Sequence, residues 1–228
     1  MRACPVAILL AAGRGRRFDP DGLRNKLLQA LPGGEPVVVA SARKLLAAFP
    51  RVIAVTPPED GGVGALLAAL GCEVTVCADA DSGMAASLVQ ALRHSLQPEA
   101  ENPSSPRRRG PIRGLQYPAH DLIDGADTDS TIPSAWLIAL GDMPHVAPAT
   151  LLALRDALAA GAPIVAPMHD GRRGNPVGFS RIHLDALLAL QGEQGARRLL
   201  QTCVVTEVAV NDPGILLDID TPSDLAAS

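Results

Sequence analysis

VAILLAAGRGRRF, residues Val6 to Phe18, decides how this chain folds: a short apolar run passes straight into a glycine turn that carries Arg14, Arg16 and Arg17. The run reads as a buried first strand. A glycine-rich turn leaving such a strand lets backbone N–H groups approach phosphate oxygens, and the arginines add charge where a triphosphate would lie. The turn is neither of the two common phosphate loops. It lacks the GK[ST] ending of a P-loop, and Gly13 and Gly15 lack the third glycine of a dinucleotide fingerprint. Alone, it also fits an ordinary glycine turn with solvated arginines.

The 228 residues, 47% of them hydrophobic, predict one large α/β domain spanning residues 1–228, with an inserted segment. A formal charge of −4 argues against a broad nucleic-acid surface and fits a small anionic ligand better. Cys4, Cys72, Cys77 and Cys203 form no CxxC pair, so the expectation is buried free thiols rather than a zinc site or disulfides. No run approaches the length of a membrane span, and the first residues lack the pattern of an export signal, which predicts a cytoplasmic protein with no membrane partner.

Apolar runs alternate with helical segments, the pattern of a largely parallel sheet covered on both faces. The expected strands are Val6 to Ala11, Val52 to Thr56, Glu73 to Cys77, Trp136 to Leu140, Pro163 to Ala166, Pro176 to Phe179, Val204 to Val208 and Leu216 to Ile219. Helices are expected at Pro36 to Phe49, Val63 to Leu70, Met84 to Leu96, Pro148 to Ala160, Ile182 to Leu190 and Ala196 to Leu200, with Gly71 and Gly161 as stops. Residues 98–133 break this rhythm with Pro, Ser and charge, and read as a flexible insertion of no assigned role. In open sheets of this kind, ligands bind beyond the carboxyl ends of the strands.

Two stretches place carboxylates at such ends. WLIALGDMP, Trp136 to Pro144, is an apolar strand ending in Asp142, the first choice for a magnesium ligand because magnesium bridges one or two carboxylates to phosphate oxygens. Asp142 capping the following helix is the competing reading. In LLDIDTPSD, Leu216 to Asp224, Asp218 and Asp220 alternate with apolar residues, so both point to one face of a strand. One of them would complete the metal site; alternatively Asp220 or Thr221 caps a last helix begun by Pro222. DSGMAASL, Asp81 to Leu88, opens a helix where Gly83 lets a base or ribose approach the backbone and Ser87 offers a hydroxyl. Asn175, in the turn RRGNPVGFS, either binds an acceptor or orders the turn before Pro176. His145 follows GDMP, but an attacking phosphate is already ionised and needs no general base.

LAAGRGRRF, Lys26 in NKLL, GMAASL, GDMP, GNPV, GEQGARRLL and DIDTPSD together resemble the molybdenum cofactor nucleotidyltransferases, in the cytidylyltransferase branch, across nearly the whole chain. The resemblance implies a three-layer α/β/α Rossmann-like fold with a mostly parallel mixed sheet in which one late strand is antiparallel. It implies transfer of CMP from CTP to the terminal phosphate of molybdopterin cofactor, with Mg2+ and release of pyrophosphate. By the motifs, Leu10, Ala11, Ala12, Gly13 and Gly15 would contact the nucleotide, Arg17 and Lys26 its phosphates, and Asp81, Gly83, Met84 and Ser87 its base and ribose. Asp142 and Asp220 would hold the metal, and Asn175, Pro176 and Arg197 the acceptor. A molybdenum hydroxylase is the partner such an enzyme would meet transiently. The chain departs from the family where Gly15 replaces a serine, where Phe18 and Asp19 replace Met-Gly, and where FDPDGLRN delays the lysine. LAAG in place of LAGG implies cytosine over guanine. The rival readings are transfer to a sugar phosphate or another small phosphorylated acceptor, and a nucleotide-binding delivery module without turnover.

Overall fold

The computed structural model describes residues 4–97, 132–192 and 195–226. The expected insertion, apart from its last two residues, lies outside them. The strands are β1 Val6–Leu10, β2 Val52–Thr56, β3 Glu73–Val76, β4 Ala135–Leu140, β5 Ile164–His169, β6 Arg172–Arg173, β7 Val177–Ser180 and β8 Thr206–Ala209. The helices are α1 Val37–Ala48, α2 Val63–Leu70, α3 Met84–Ser95, α4 Pro148–Ala159, α5 Leu184–Leu188, α6 Arg197–Thr202 and α7 Pro222–Ala226.

Continuous apolar strands need cover on both faces, and they receive it. Ala7 and Leu9 of β1 join Leu137 of β4 in a core under α1, α2 and α4, while Val6 and Ile8 join Trp136 and Ile138 in a second core under α3 and α5. This is the three-layer α/β/α fold. The sheet runs β3-β2-β1-β4-β7-β5-β6, with β8 added parallel to β5. Strands β1 to β4 are parallel, and β7 runs antiparallel between β4 and β5, as the resemblance implies. From β1 the chain steps outward through β2 and β3, and it returns with β4 on the other side of β1. The carboxyl ends of β1 and β4 thus flank the crevice where ligands bind in such folds.

Gly71 and Gly161 stop their helices in the left-handed region, with φ of 101° and 99°. In each case the next residue reaches back to the helix, Cys72 N–H to Leu67 and Ala162 N–H to Ala157. The structure corrects three expectations. Leu216 to Ile219 is not a strand: Pro213 and Gly214, capped by Asp212, wind into a 3-10 turn, Pro213–Leu216, and the chain leaves it extended but unpaired. The polar turn before Pro176 contains the short strand β6, because Asp170 and Gly171 both take positive φ and close a two-residue hairpin onto β5. Of the cysteines, Cys72 and Cys77 are buried while Cys4 is exposed and Cys203 half-buried; all are free. Among the described residues no helix is long and apolar enough to cross a membrane.

The amino end of the sheet is closed by a buried polar network. The Arg51 guanidinium grips Glu73 through two hydrogen bonds of 2.9 and 3.0 Å and donates to the Ser95 carbonyl at 3.1 Å; His94 lies 3.5 Å from Glu73, and Trp136 Nε1 donates to the Ser95 hydroxyl at 2.9 Å. Burial alone would raise the Glu73 pKa, but His94 and Arg51 outweigh it and hold it at about 2, against 4.5 for an ordinary glutamate. A carboxylate whose folded pKa is depressed adds stability that is complete above the unfolded value and is lost as pH falls through the folded one. Glu73→Gln is therefore expected to lower stability near neutrality by about 3 kcal/mol. It should also flatten the loss of stability between pH 4.5 and about 2, the interval set by the two pKa values. Urea unfolding across that range measures both.

Candidate active site

Lys26 is the side chain around which the site is built. Asn25 caps the short 3-10 turn Lys26–Leu28 by accepting from Leu27 N–H at 3.0 Å, and its amide donates to the Asp60 carbonyl at 3.1 Å. Leu27 is buried, which fixes the turn and leaves Lys26 facing the carboxyl ends of β1 and β4. The lysine ammonium donates to Asp142 Oδ2 at 2.5 Å and to Asp220 Oδ1 at 3.2 Å, and Arg17 holds Asp220 Oδ2 at 2.6 Å. Burial works against the lysine's charge, but the two carboxylates outweigh it and hold its pKa above the ordinary value. For Asp218 the balance goes the other way: burial and the charges of Asp220 and Asp142 push its pKa up, against a backbone hydrogen bond that lowers it.

The lengthened loop still delivers the lysine. Gly15 takes φ of 61° and its carbonyl accepts from Phe18 and Asp19 N–H, after which Phe18 is buried beside Leu27 in the core. Asp19 turns inward to accept from Arg24 N–H at 2.6 Å, so the extra residues fold back on themselves. A side chain at position 15 would lie 3.2 Å from Lys26 Cγ, which is why glycine suits this turn.

Asp142 is fixed through its own backbone. Gly141 N–H donates to the Leu10 carbonyl at 2.9 Å, an approach that a side chain there would crowd, and the Asp142 carbonyl accepts from Ile219 N–H at 2.9 Å. That second bond carries the tail past the site, burying Ile219 and turning Asp218 and Asp220 into the cleft. The alternation expected of a strand therefore holds without one. The helix-cap reading of DIDTPSD holds at Thr221, which caps α7 reciprocally with Asp224 and leaves the Asp220 carboxylate free to meet Lys26. Asp142 does not cap α4. The start of α4 is instead braced by Asp212, which is buried and accepts from Ala147 N–H at 2.8 Å, the Thr150 hydroxyl at 2.6 Å and Gly214 N–H at 3.0 Å.

These groups line one cleft of about 440 Å³. Of the residues singled out in the sequence, Leu10, Ala12, Gly13, Gly15, Arg17, Lys26, Asp81, Gly83, Met84, Ser87, Asp142 and Asp220 all face it. Ala11 does not: it is buried, and its N–H is given to the Val55 carbonyl at 3.0 Å. Asn175, Pro176 and Arg197 are also outside the lining. Asn175 N–H donates to the Ile215 carbonyl at 2.9 Å, Pro176 lines a small apolar pocket with Lys44 and Met143, and Arg197 is exposed at the start of α6. The GNPV turn is spent on the tail instead, since Gly174 lies so close to Ile215 that no side chain fits between them. His145 lies outside the lining as well, with Nε2 buried and unpartnered.

Sequence reasoning missed the pairing of Arg14 with Asp81 and the buried acceptor Asp212. Arg14 reaches across the cleft mouth to a two-pronged ion pair with Asp81, joining the glycine turn to the opposite wall. Asp212 had a local signal in NDPG, an aspartate ahead of Pro and Gly.

Among the described residues no group of three or more His, Cys, Asp or Glu is gathered closely enough to cage a metal. Two carboxylates that leave room for water and phosphate are what magnesium prefers, and Asp142 Oδ1 is buried with no hydrogen-bond partner. Asp142 and Asp220 thus fit such an ion, with Arg17 and Lys26 beside them for the anion it would accompany.

A family model described as the MobA-like NTP transferase domain matches residues 7–208. The crystal structure of Rv0371c from Mycobacterium tuberculosis H37Rv is 26% identical, covers 99% of this chain and 97% of that one, and superposes with a TM-score of 0.72. The Rv0371c complex with manganese, from the same organism, is 25% identical over 99% and 97% of the two chains, with a TM-score of 0.69. Molybdopterin-guanine dinucleotide biosynthesis protein A from Archaeoglobus fulgidus shares the fold at 20% identity over 97% and 95%, with a TM-score of 0.61. A search of curated proteins finds no match.

Removing the Asp212 acceptor strands its buried donors. Asp212→Ala is expected to cost about 2 kcal/mol or more in urea unfolding, whereas Thr150→Ala, which removes one donor, costs about 1 kcal/mol. Equal stability of Asp212→Ala and the parent protein would show that the staple between the tail and α4 carries no weight.

Proposed function

The chain belongs to the family of MobA-like NTP transferase domains and is a nucleotidyltransferase, and from that premise we propose that it transfers CMP from CTP to the terminal phosphate of molybdopterin cofactor, releasing pyrophosphate. The observation that carries the site assignment is the meeting of Arg17, Lys26, Asp142 and Asp220 in a cleft that the glycine turn also lines. The Rv0371c complex with manganese supports a divalent ion for the relative, and we assign magnesium to Asp142 and Asp220 here. When bound, that ion supplies charge neutralisation to the triphosphate.

The chain's own residues do the positioning. Leu10, Ala12 and Gly13 line the cleft together with Gly83, Met84 and Ser87, and we assign the base and ribose to the space they share. LAAG rather than LAGG supports cytosine in that space. Arg17 and Lys26 neutralise phosphate oxygens as negative charge shifts toward the leaving group. An acceptor phosphate oxygen forms the new bond to the α-phosphorus while the bond to the bridging oxygen of the β-phosphate breaks, and that oxygen leaves with the pyrophosphate. The nucleophile is already ionised, so no side chain has to remove a proton. The acceptor enters beside Asp218 and Asp220, on the side that the GNPV turn shapes indirectly by holding Ile215. A molybdenum hydroxylase would receive the product.

Two measurements test this. Pyrophosphate release with molybdopterin cofactor is expected to be faster with CTP and magnesium than with GTP, ATP or UTP, and to stop in EDTA; release with sugar 1-phosphates alone would overturn the acceptor. Asp142→Ala is expected to lower turnover by at least about 10²-fold, with a much smaller change in nucleotide affinity. Full turnover in that variant would remove Asp142 from the mechanism.

A further inference from the structure

The position between Asp142 and Asp220, where the divalent ion is assigned, is filled by the protein's own cation. Lys26 Nζ lies 2.5 Å from one carboxylate and 3.2 Å from the other, and Arg17 holds the free oxygen of Asp220 at 2.6 Å, so the charges alternate in the order Asp142, Lys26, Asp220, Arg17. The lysine side chain is only 9% exposed. An ammonium this buried cannot simply be pushed aside into the protein interior, because a stranded buried charge is severely penalised. Nor can it leave for a triphosphate unaided, since Asp142 would then lose its counter-ion and Arg17 alone would remain to neutralise the carboxylates.

We propose that Lys26 and Arg17 are exchangeable counter-ions: they neutralise Asp142 and Asp220 in the nucleotide-free protein and move onto the triphosphate as a divalent cation takes over the carboxylates. The idea rests on the assignment of those two carboxylates as metal ligands. Its consequence is cooperativity. A metal alone displaces a lysine that has no other anion to meet, and a triphosphate alone strips the carboxylates, whereas together each ligand satisfies the group that the other frees. By linkage, metal and nucleotide must then raise each other's affinity by the same factor. Gly15 leaves room for the movement, because a side chain there would press on the lysine stem at 3.2 Å.

The test is Mn2+ binding to the full chain without nucleotide, followed by electron paramagnetic resonance of the free ion. Lys26→Met is expected to bind Mn2+ at least about tenfold more tightly than the parent protein. Arg16→Met, which removes an equal charge from the same cleft lining, is expected to match the parent protein. Thermal melts supply a second readout: Mn2+ should raise the Tm of Lys26→Met, or of Lys26→Gln should the methionine variant not fold in EDTA, more than that of the parent protein. Equal gains in the Arg16 and Lys26 variants reduce the effect to through-space charge and overturn the exchange. Unchanged Mn2+ affinity in Lys26→Met, with binding abolished in Asp142→Asn, overturns the exchange but leaves the metal site standing. Undiminished binding in Asp142→Asn overturns both.

Discussion

A lysine ammonium held away from water must be surrounded by oxygen, and Lys26 obtains that oxygen from residues 116 and 194 positions further along the chain. The requirement ties the glycine turn after β1, the end of β4 and the C-terminal tail to one point in space. Each of those segments has its own reason to be there. β1 and β4 are neighbours in register, Gly141 lets their ends close up, and Ile219 threads the tail along the Asp142 backbone. The charges then fall into place at an edge of the sheet that the topology had already opened.

The tail is the segment with the least secondary structure to hold it, and small residues and one buried carboxylate do the work. Gly174 and Gly214 let the backbone pass within a few ångströms of Ile215 and His145, contacts that any side chain would block. Asp212 ties the entry of the same stretch to the start of α4. What a strand would have secured with ladder hydrogen bonds is secured by close packing at the glycines and by one acceptor shared among three donors.

Much of this was legible in the amino-acid sequence, for physical reasons. Buried parallel strands must be apolar on both faces, so β1, β2 and β4 stand out as uninterrupted runs, and Gly71 and Gly161 mark helix ends because only glycine takes the required φ cheaply. Twelve cleft-lining positions lie in the motifs that carry the family resemblance, most of them in short segments at a strand end or a helix start. The tail was misread for the opposite reason. Alternating Leu, Asp, Ile, Asp is the signature of a strand, but Pro213 and Gly214 wind the preceding residues into a turn and leave the stretch without a ladder. The acceptor roles of Asn175, Pro176 and Arg197 had no decisive local signal, because no local chemistry in them says whether a turn faces a ligand or another part of the backbone. Pairs such as Arg14 with Asp81 are separated by 67 positions and leave no local trace at all.

The two ends of the sheet have divided their labour. At one end, Arg51, Glu73, His94, Ser95 and Trp136 neutralise one another in a finished arrangement. At the other, Asp142 Oδ1 is buried without a hydrogen-bond partner, and burial together with the charge of Asp220 raises the Asp218 pKa. A protein built this way keeps its durability in one place and its adaptability in another. Substitutions around the cleft can accumulate and redirect its chemistry without drawing down the reserve that keeps the chain folded, which gives such a scaffold room to evolve new acceptors.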